Sequence, residues 1–70
     1  MYLIKTRDGK IYELFEVKED EWMLRNLKGE KKKVVSFGDD MTLKRGVPVF
    51  IEHKEKVINT QAIVDIFKKV

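Results

Sequence analysis

Apolar and polar positions alternate along most of this chain with a period of two, the pattern of strands that bury one face. Three apolar-rich runs stand close together: Ile11-Tyr-Glu-Leu-Phe-Glu-Val17, Trp22-Met-Leu-Arg-Asn-Leu27 and Val34-Val-Ser-Phe37. Only the short polar breaks Lys18-Glu-Asp-Glu21 and Lys28-Gly-Glu-Lys-Lys-Lys33 separate them. Breaks of that length return the chain to an antiparallel neighbour and leave no room for a crossover, so the runs predict a meander. Upstream, Tyr2, Ile4 and Thr6 alternate with Leu3, Lys5 and Arg7, and Asp8-Gly9 follows. Asp-Gly between two strand-like runs predicts a type I′ hairpin, with positive φ at both central residues.

Within the second run the apolar phase slips. Tyr12 and Leu14 share one register and Phe15 and Val17 the other, which predicts a bulge or sharp bend at Leu14-Phe15 and a sheet that curls. In the third run Trp22, Leu24 and Asn26 share a face opposite Met23, Arg25 and Leu27; in the fourth, about Lys32 to Phe37, Val35 and Phe37 are expected inward and Val34 and Ser36 outward. The irregular stretch Gly38 to Gly46 is expected to lie as a lid over one end. Asp39 or Asp40 would cap a single helical turn there, bringing Met41 and Leu43 to the core. Val47, Val49 and Ile51 then alternate with Pro48, Phe50 and Glu52, and a proline inside a strand predicts an edge or a bulge.

The segment from Val57 to Val70 has two readings. As a helix capped by Thr60 it places Ile63, Ile66, Phe67 and Val70 on one face, with Lys68 and Lys69 at the negative end of the dipole. As strands it gives Val57-Ile58, a one-turn 3₁₀ segment at Asn59-Thr-Gln61 and a closing strand from Ala62 to Phe67, rich in β-branched residues. The strand reading is preferred, and a short turn before a final Ile-Val-x-Ile strand resembles the way SH3-like and Lsm-like small barrels close. The expected fold is therefore a mostly β domain over residues 1–70: a curled antiparallel sheet or barrel, SH3-like or OB-like, of five to seven short strands with a one-turn helical segment. The alternative is a β-meander carrying a C-terminal helix. Burial is expected at Ile4, Leu14, Phe15, Val17, Leu24, Val35, Phe37, Val49, Ile51, Ile63 and Ile66.

Composition narrows the rest. Seventy residues support one small core, and with no cysteine that core must hold by packing without disulfides or thiolate metal sites. A cysteine-free chain is compatible with a reducing, cytoplasmic setting. Met1-Tyr-Leu-Ile4 is broken at once by Lys5, so the chain reads as carrying neither a signal peptide nor a membrane span. Charged residues make up 39% of the chain, yet the net charge is only +3, the balance of a solvated surface. The positive excess falls between residues 28 and 56, where eight bases face five acids.

Candidate chemistry is sparse. The one histidine, His53, lies in the charged turn His53-Lys-Glu-Lys56, and Thr6, Ser36, Thr42 and Thr60 lie where turns and ladders account for them, so a nucleophilic triad is not expected. Glu13 sits inside an apolar run, where an outward-facing strand position explains it without acid–base chemistry. Glu19-Asp-Glu21 and Asp39-Asp40 lack the alternating spacing of a calcium loop, and the four glycines are isolated at turns, so no metal, cofactor or phosphate cradle is expected. No small-molecule substrate is expected either.

What remains is binding. On a strand, Lys31 and Lys33 share a face, with Lys44 and Arg45 nearby if the lid folds back, and an aromatic such as Trp22 beside them would suit nucleic acid. The leading expectation is a non-enzymatic module contacting nucleic acid, or a protein associated with it, through Lys31, Lys33, Lys44, Arg45 and Trp22. The alternative is a protein-interaction or self-associating module using an exposed sheet edge near Pro48 and apolar surface at Trp22 or Phe50, with a protein partner or homo-oligomer as its product.

Overall fold

The computed structural model describes residues 1–69 and contains seven strands and no helix. Both expected helical turns, in the lid and at Asn59 to Gln61, are thus absent, and so is the alternative C-terminal helix. Val70, placed on that helix's apolar face above, lies outside the described residues.

The strands are β1 (Tyr2–Thr6), β2 (Ile11–Lys18), β3 (Glu21–Arg25), β4 (Lys31–Phe37), β5 (Val49–His53), β6 (Lys56–Asn59) and β7 (Ile63–Lys68). Consecutive strands pair antiparallel from β1 to β6, and β7 returns to pair antiparallel with β1, giving the order β6-β5-β4-β3-β2-β1-β7. The sheet curls into a half-barrel whose extents, 27 × 26 × 25 Å, are nearly equal. Its concave side holds Ile4, Leu14, Leu24, Val34, Phe37, Val49, Ile51 and Ile63, all buried. Each such side chain contributes about 1.5–3 kcal/mol through removal from water.

Turn chemistry explains why these strands meet in this register. At the first hairpin the Gly9 N–H donates to the Thr6 carbonyl (2.9 Å) and the Thr6 N–H to the Lys10 carbonyl (2.9 Å). Only Gly9, at φ 83°, is left-handed, so the loop is the three-residue turn-plus-bulge kind and not type I′. The Asn26–Glu30 loop repeats this geometry around Gly29, with Asn26 Oδ1 accepting from the Lys28 and Glu30 N–H groups. A two-residue loop with positive φ at both positions does occur, but at Lys54-Glu55 between β5 and β6 (φ 50° and 67°), where neither residue favours it.

Ile66, expected buried, is half-buried against the core, and four further expectations change because the bulges fall elsewhere. The shift in β2 comes at Val17, between the pairs Glu16 with Trp22 and Lys18 with Glu21, not at Leu14-Phe15. Phe15 is therefore half-buried on the convex face and Val17 is 50% exposed. In β4 a second bulge at Val35 turns Val34 inward against Ile51 while Phe37 still faces Val49; Val35 is 41% exposed. One inserted residue exchanges the faces of its neighbours.

One end of the half-barrel is closed. There the Gly46 N–H donates to the Ile63 carbonyl (2.8 Å) and the Ile63 N–H to the Val47 carbonyl (3.0 Å), while the Thr60 N–H donates to the Val49 carbonyl (2.9 Å). Thr60 Oγ1 accepts from the Val49 N–H (3.0 Å), which fixes the chain as it passes from β6 to β7. Gly38 makes the same end possible, since a Cβ on it would lie 3.0 Å from Cβ and Cγ1 of Val47. Pro48 precedes β5, which is an interior strand, so the proline marks no edge; the edges are β6 and β7. The lid carries Leu43 onto the core without a helix, and Asp40 caps the Thr42 N–H at 2.8 Å.

Candidate nucleic-acid interface

On the convex side the register sets Arg25 opposite Lys31 and Met23 opposite Lys33, with Glu13 and Phe15 next to them on β2. Lys31 and Lys33 are both exposed there, as alternation requires, while Lys32 turns inward and pairs with Glu30 at 3.4 Å. That neighbouring ammonium holds the Glu30 carboxyl below its ordinary range. The Lys31 Nζ lies 5.9 Å from the centroid of the Phe15 ring. A cation over an aromatic face gains about 0.5–1 kcal/mol at an exposed site.

The other expected members come from the concave face and from the lid. Trp22 pairs with Glu16 on the concave face, half-buried, its ring 5.6 Å from Phe37 edge-on and 5.8 Å from Tyr2. It packs against the core. Lys44 and Arg45 are exposed on the lid, which leaves β4 at Phe37 and whose Met41 lines the same depression as Lys33. Lys44 also pairs with Asp40 at 3.3 Å, and the Thr42 N–H, followed by Lys44, holds the Asp40 carboxyl below the usual carboxylate range.

Part of the positive charge on the convex face is compensated. Arg25 donates through both Nε (3.0 Å) and Nη2 (2.8 Å) to Glu13 Oε1, so its charge is already met. Lys33 borders a depression that also carries Glu19, Asp20, Glu21 and Glu52. Among the described residues, Lys31 and Lys33 have no carboxylate at ion-pair distance.

Two further surfaces were not singled out by sequence reasoning. The tips of the first and third hairpins enclose a cleft of about 530 Å³ lined by Ile11, Tyr12 and Leu27, with Lys10, Lys28 and Glu30 at its rim. Burial, with the nearby Asp8 charge, raises the Tyr12 phenol above its ordinary value. The second is the outer edge of β7. The Lys69 N–H donates to the Met1 carbonyl (2.8 Å), so Met1 and Lys69 form a bonded pair; by alternation Leu3 with Phe67 and Lys5 with Asp65 do too. The backbone groups of Ile66 and Lys68 therefore point away from β1, where no described strand pairs with them. Phe67 is 56% exposed beside this edge. The sequence signal was the alternation Asp65-x-Phe67-x-Lys69, which acquires meaning only once the segment is known to be an edge strand.

No described helix is long and apolar enough to cross a membrane. Comparison with protein-family models, with curated proteins and with solved structures finds no match, so the functional reading of this half-barrel rests on its own surfaces.

Proposed function

We propose that this protein is a non-enzymatic binding module, a small SH3-like barrel of a reducing, cytoplasmic setting, whose protein partner adds a strand to the free edge of β7. The observation that carries this reading is the pair of outward-pointing backbone sets at Ile66 and Lys68, flanked by exposed Phe67. Strand addition draws affinity from main-chain hydrogen bonds and selectivity from alternate side chains. Amide-resolved NMR titration with short extended peptides of alternating apolar and charged residues tests it. Shifts centred on Ile66 and Lys68, lost in Lys68→Pro, are expected; peptides that move no β7 amide would sink the reading. The Lys68 N–H faces away from β1, so proline there removes an edge donor without removing a bond of the fold.

A second reading, contact with nucleic acid, draws on Lys31 over Phe15 and on the unpaired charge of Lys33. It requires affinity for a labelled single strand to fall at least tenfold between about 50 mM and about 200 mM salt, and to drop in Lys31→Glu. Trp22 is a poor reporter for that titration because it faces the core, so anisotropy of the labelled strand is the measurement. Binding unaffected by salt or by Lys31→Glu would remove this reading.

A further inference from the structure

We infer that the strand added to β7 is the β7 of a second copy, paired antiparallel about a two-fold axis at Phe67. The inference rests on the edge reading above and adds the partner's identity and register.

An antiparallel pair related by a two-fold sets residues of equal parity opposite each other. With the axis at Phe67, Ile66 of one copy faces Lys68 of the other, and these are the residues whose backbone groups point outward. The two phenyl rings then meet at a non-hydrogen-bonded position, where Cα atoms approach to about 4.5 Å. On the same convex face Asp65 of each copy lies across from Lys69 of the other. Aromatic and opposite-charge cross-strand pairs both favour this register.

Neighbouring registers fail for stated reasons. An axis at Ile66 or Asp65 would bring Lys69 or Phe67 of the second copy opposite Ile63, whose outward N–H and carbonyl are already bonded to Val47 and Gly46. The axis at Asp65 also opposes two aspartates, and an axis at Lys68 opposes two lysines, which repel. Within its own copy Asp65 also faces Lys5 on β1, so the carboxylate sits between two lysines in the pair. No other ionisable group is opposite it in the sheet register. A contact built on one short edge is small, so association is weak and concentration-dependent.

Charge exchange tests this register. Asp65→Lys sets lysine against Lys69 of the second copy, and Lys69→Asp sets aspartate against Asp65; each variant alone should associate roughly tenfold more weakly than the unaltered protein. Mixed together, the two variants set the ammonium introduced at position 65 against the carboxylate introduced at position 69. The unaltered Lys69 of the first variant then meets the unaltered Asp65 of the second, so a heterodimer should form. Sedimentation velocity from about 10 µM to about 1 mM reads all three samples. An unaltered protein that stays monomeric throughout, or variants that dimerise as well alone as mixed, overturns the inference. If the protein is monomeric while peptides still shift Ile66 and Lys68 in the NMR titration, self-pairing alone falls; if the peptides fail as well, the edge reading falls with it.

Discussion

β6 and β7 are the two ends of one sheet, and they are built in opposite ways. β6 is four residues long, exposed at every position and held only by β5. It enters through a strained loop between His53 and Lys56, and Lys54 and Lys56 put charge at its start, a common protection against unwanted strand pairing. β7 is longer, packs Ile63 into the core, and is bonded at its start to the chain ahead of β5. Beyond Val64 it leaves a clean edge. The lesson is that an unpaired strand is a usable surface only when something else holds it in place.

The same substitution on both strands gives the largest contrast. Ile63 is 1% exposed and Ile58 is 41% exposed. Ile63→Ala is expected to destabilise by about 2–5 kcal/mol and Ile58→Ala by under about 1 kcal/mol, read as the shift in urea midpoint at constant slope. Equal losses would mean that the closed end does not anchor β7. A smaller effect is expected at the junction between the two strands. Thr60→Val keeps the shape but leaves the buried Val49 N–H without an acceptor, a loss of about 1–3 kcal/mol. Hydrogen exchange should show Val49 and Ile63 amides losing protection together; a variant as stable as the parent would show that the junction holds by packing alone.

The smallest effect has the opposite sign. Glu55 has φ 67°, a conformation costing about 1–2 kcal/mol in an L-residue with a Cβ. Glycine relieves this but loses about 0.5–1 kcal/mol through the freedom of the unfolded chain. Glu55→Gly should therefore stabilise by up to about 1 kcal/mol, raising Tm by several degrees in a domain of this size. A lower Tm would show that the Glu55 side chain contributes something beyond the turn.

Legibility followed the range of the interaction. Hairpins at Asp8-Gly9 and Lys28-Gly29 were visible because a turn is specified by adjacent residues, although the loop type was not, since Asp8 keeps a right-handed backbone and only Gly9 is left-handed. Alternation alone set Lys31 and Lys33 on one face, but with Val35 and Phe37 expected inward it did not make that face the convex one; the bulge at Val35 does. Trp22 was placed correctly in phase with Leu24, yet its role as a binding aromatic does not fit that phase, which points it at Phe37 and Tyr2. Lys44 and Arg45 are carried by the lid, whose path is set by contacts with distant segments and not by local pattern.

From the sequence alone came the strands of the meander, their antiparallel order and a preference for strand over helix in the final β-branched segment, because period-two alternation and short polar breaks are local properties of the chain. Tertiary structure decided which side Phe15, Val34 and Val35 face, since one bulged residue exchanges faces and its position depends on the partner strand's twist and register. It also decided which backbone groups are left over. That Ile66 and Lys68 point outward while Ile63 is capped by Gly46 and Val47 follows from the closure of the half-barrel at one end, a contact between segments far apart in the chain.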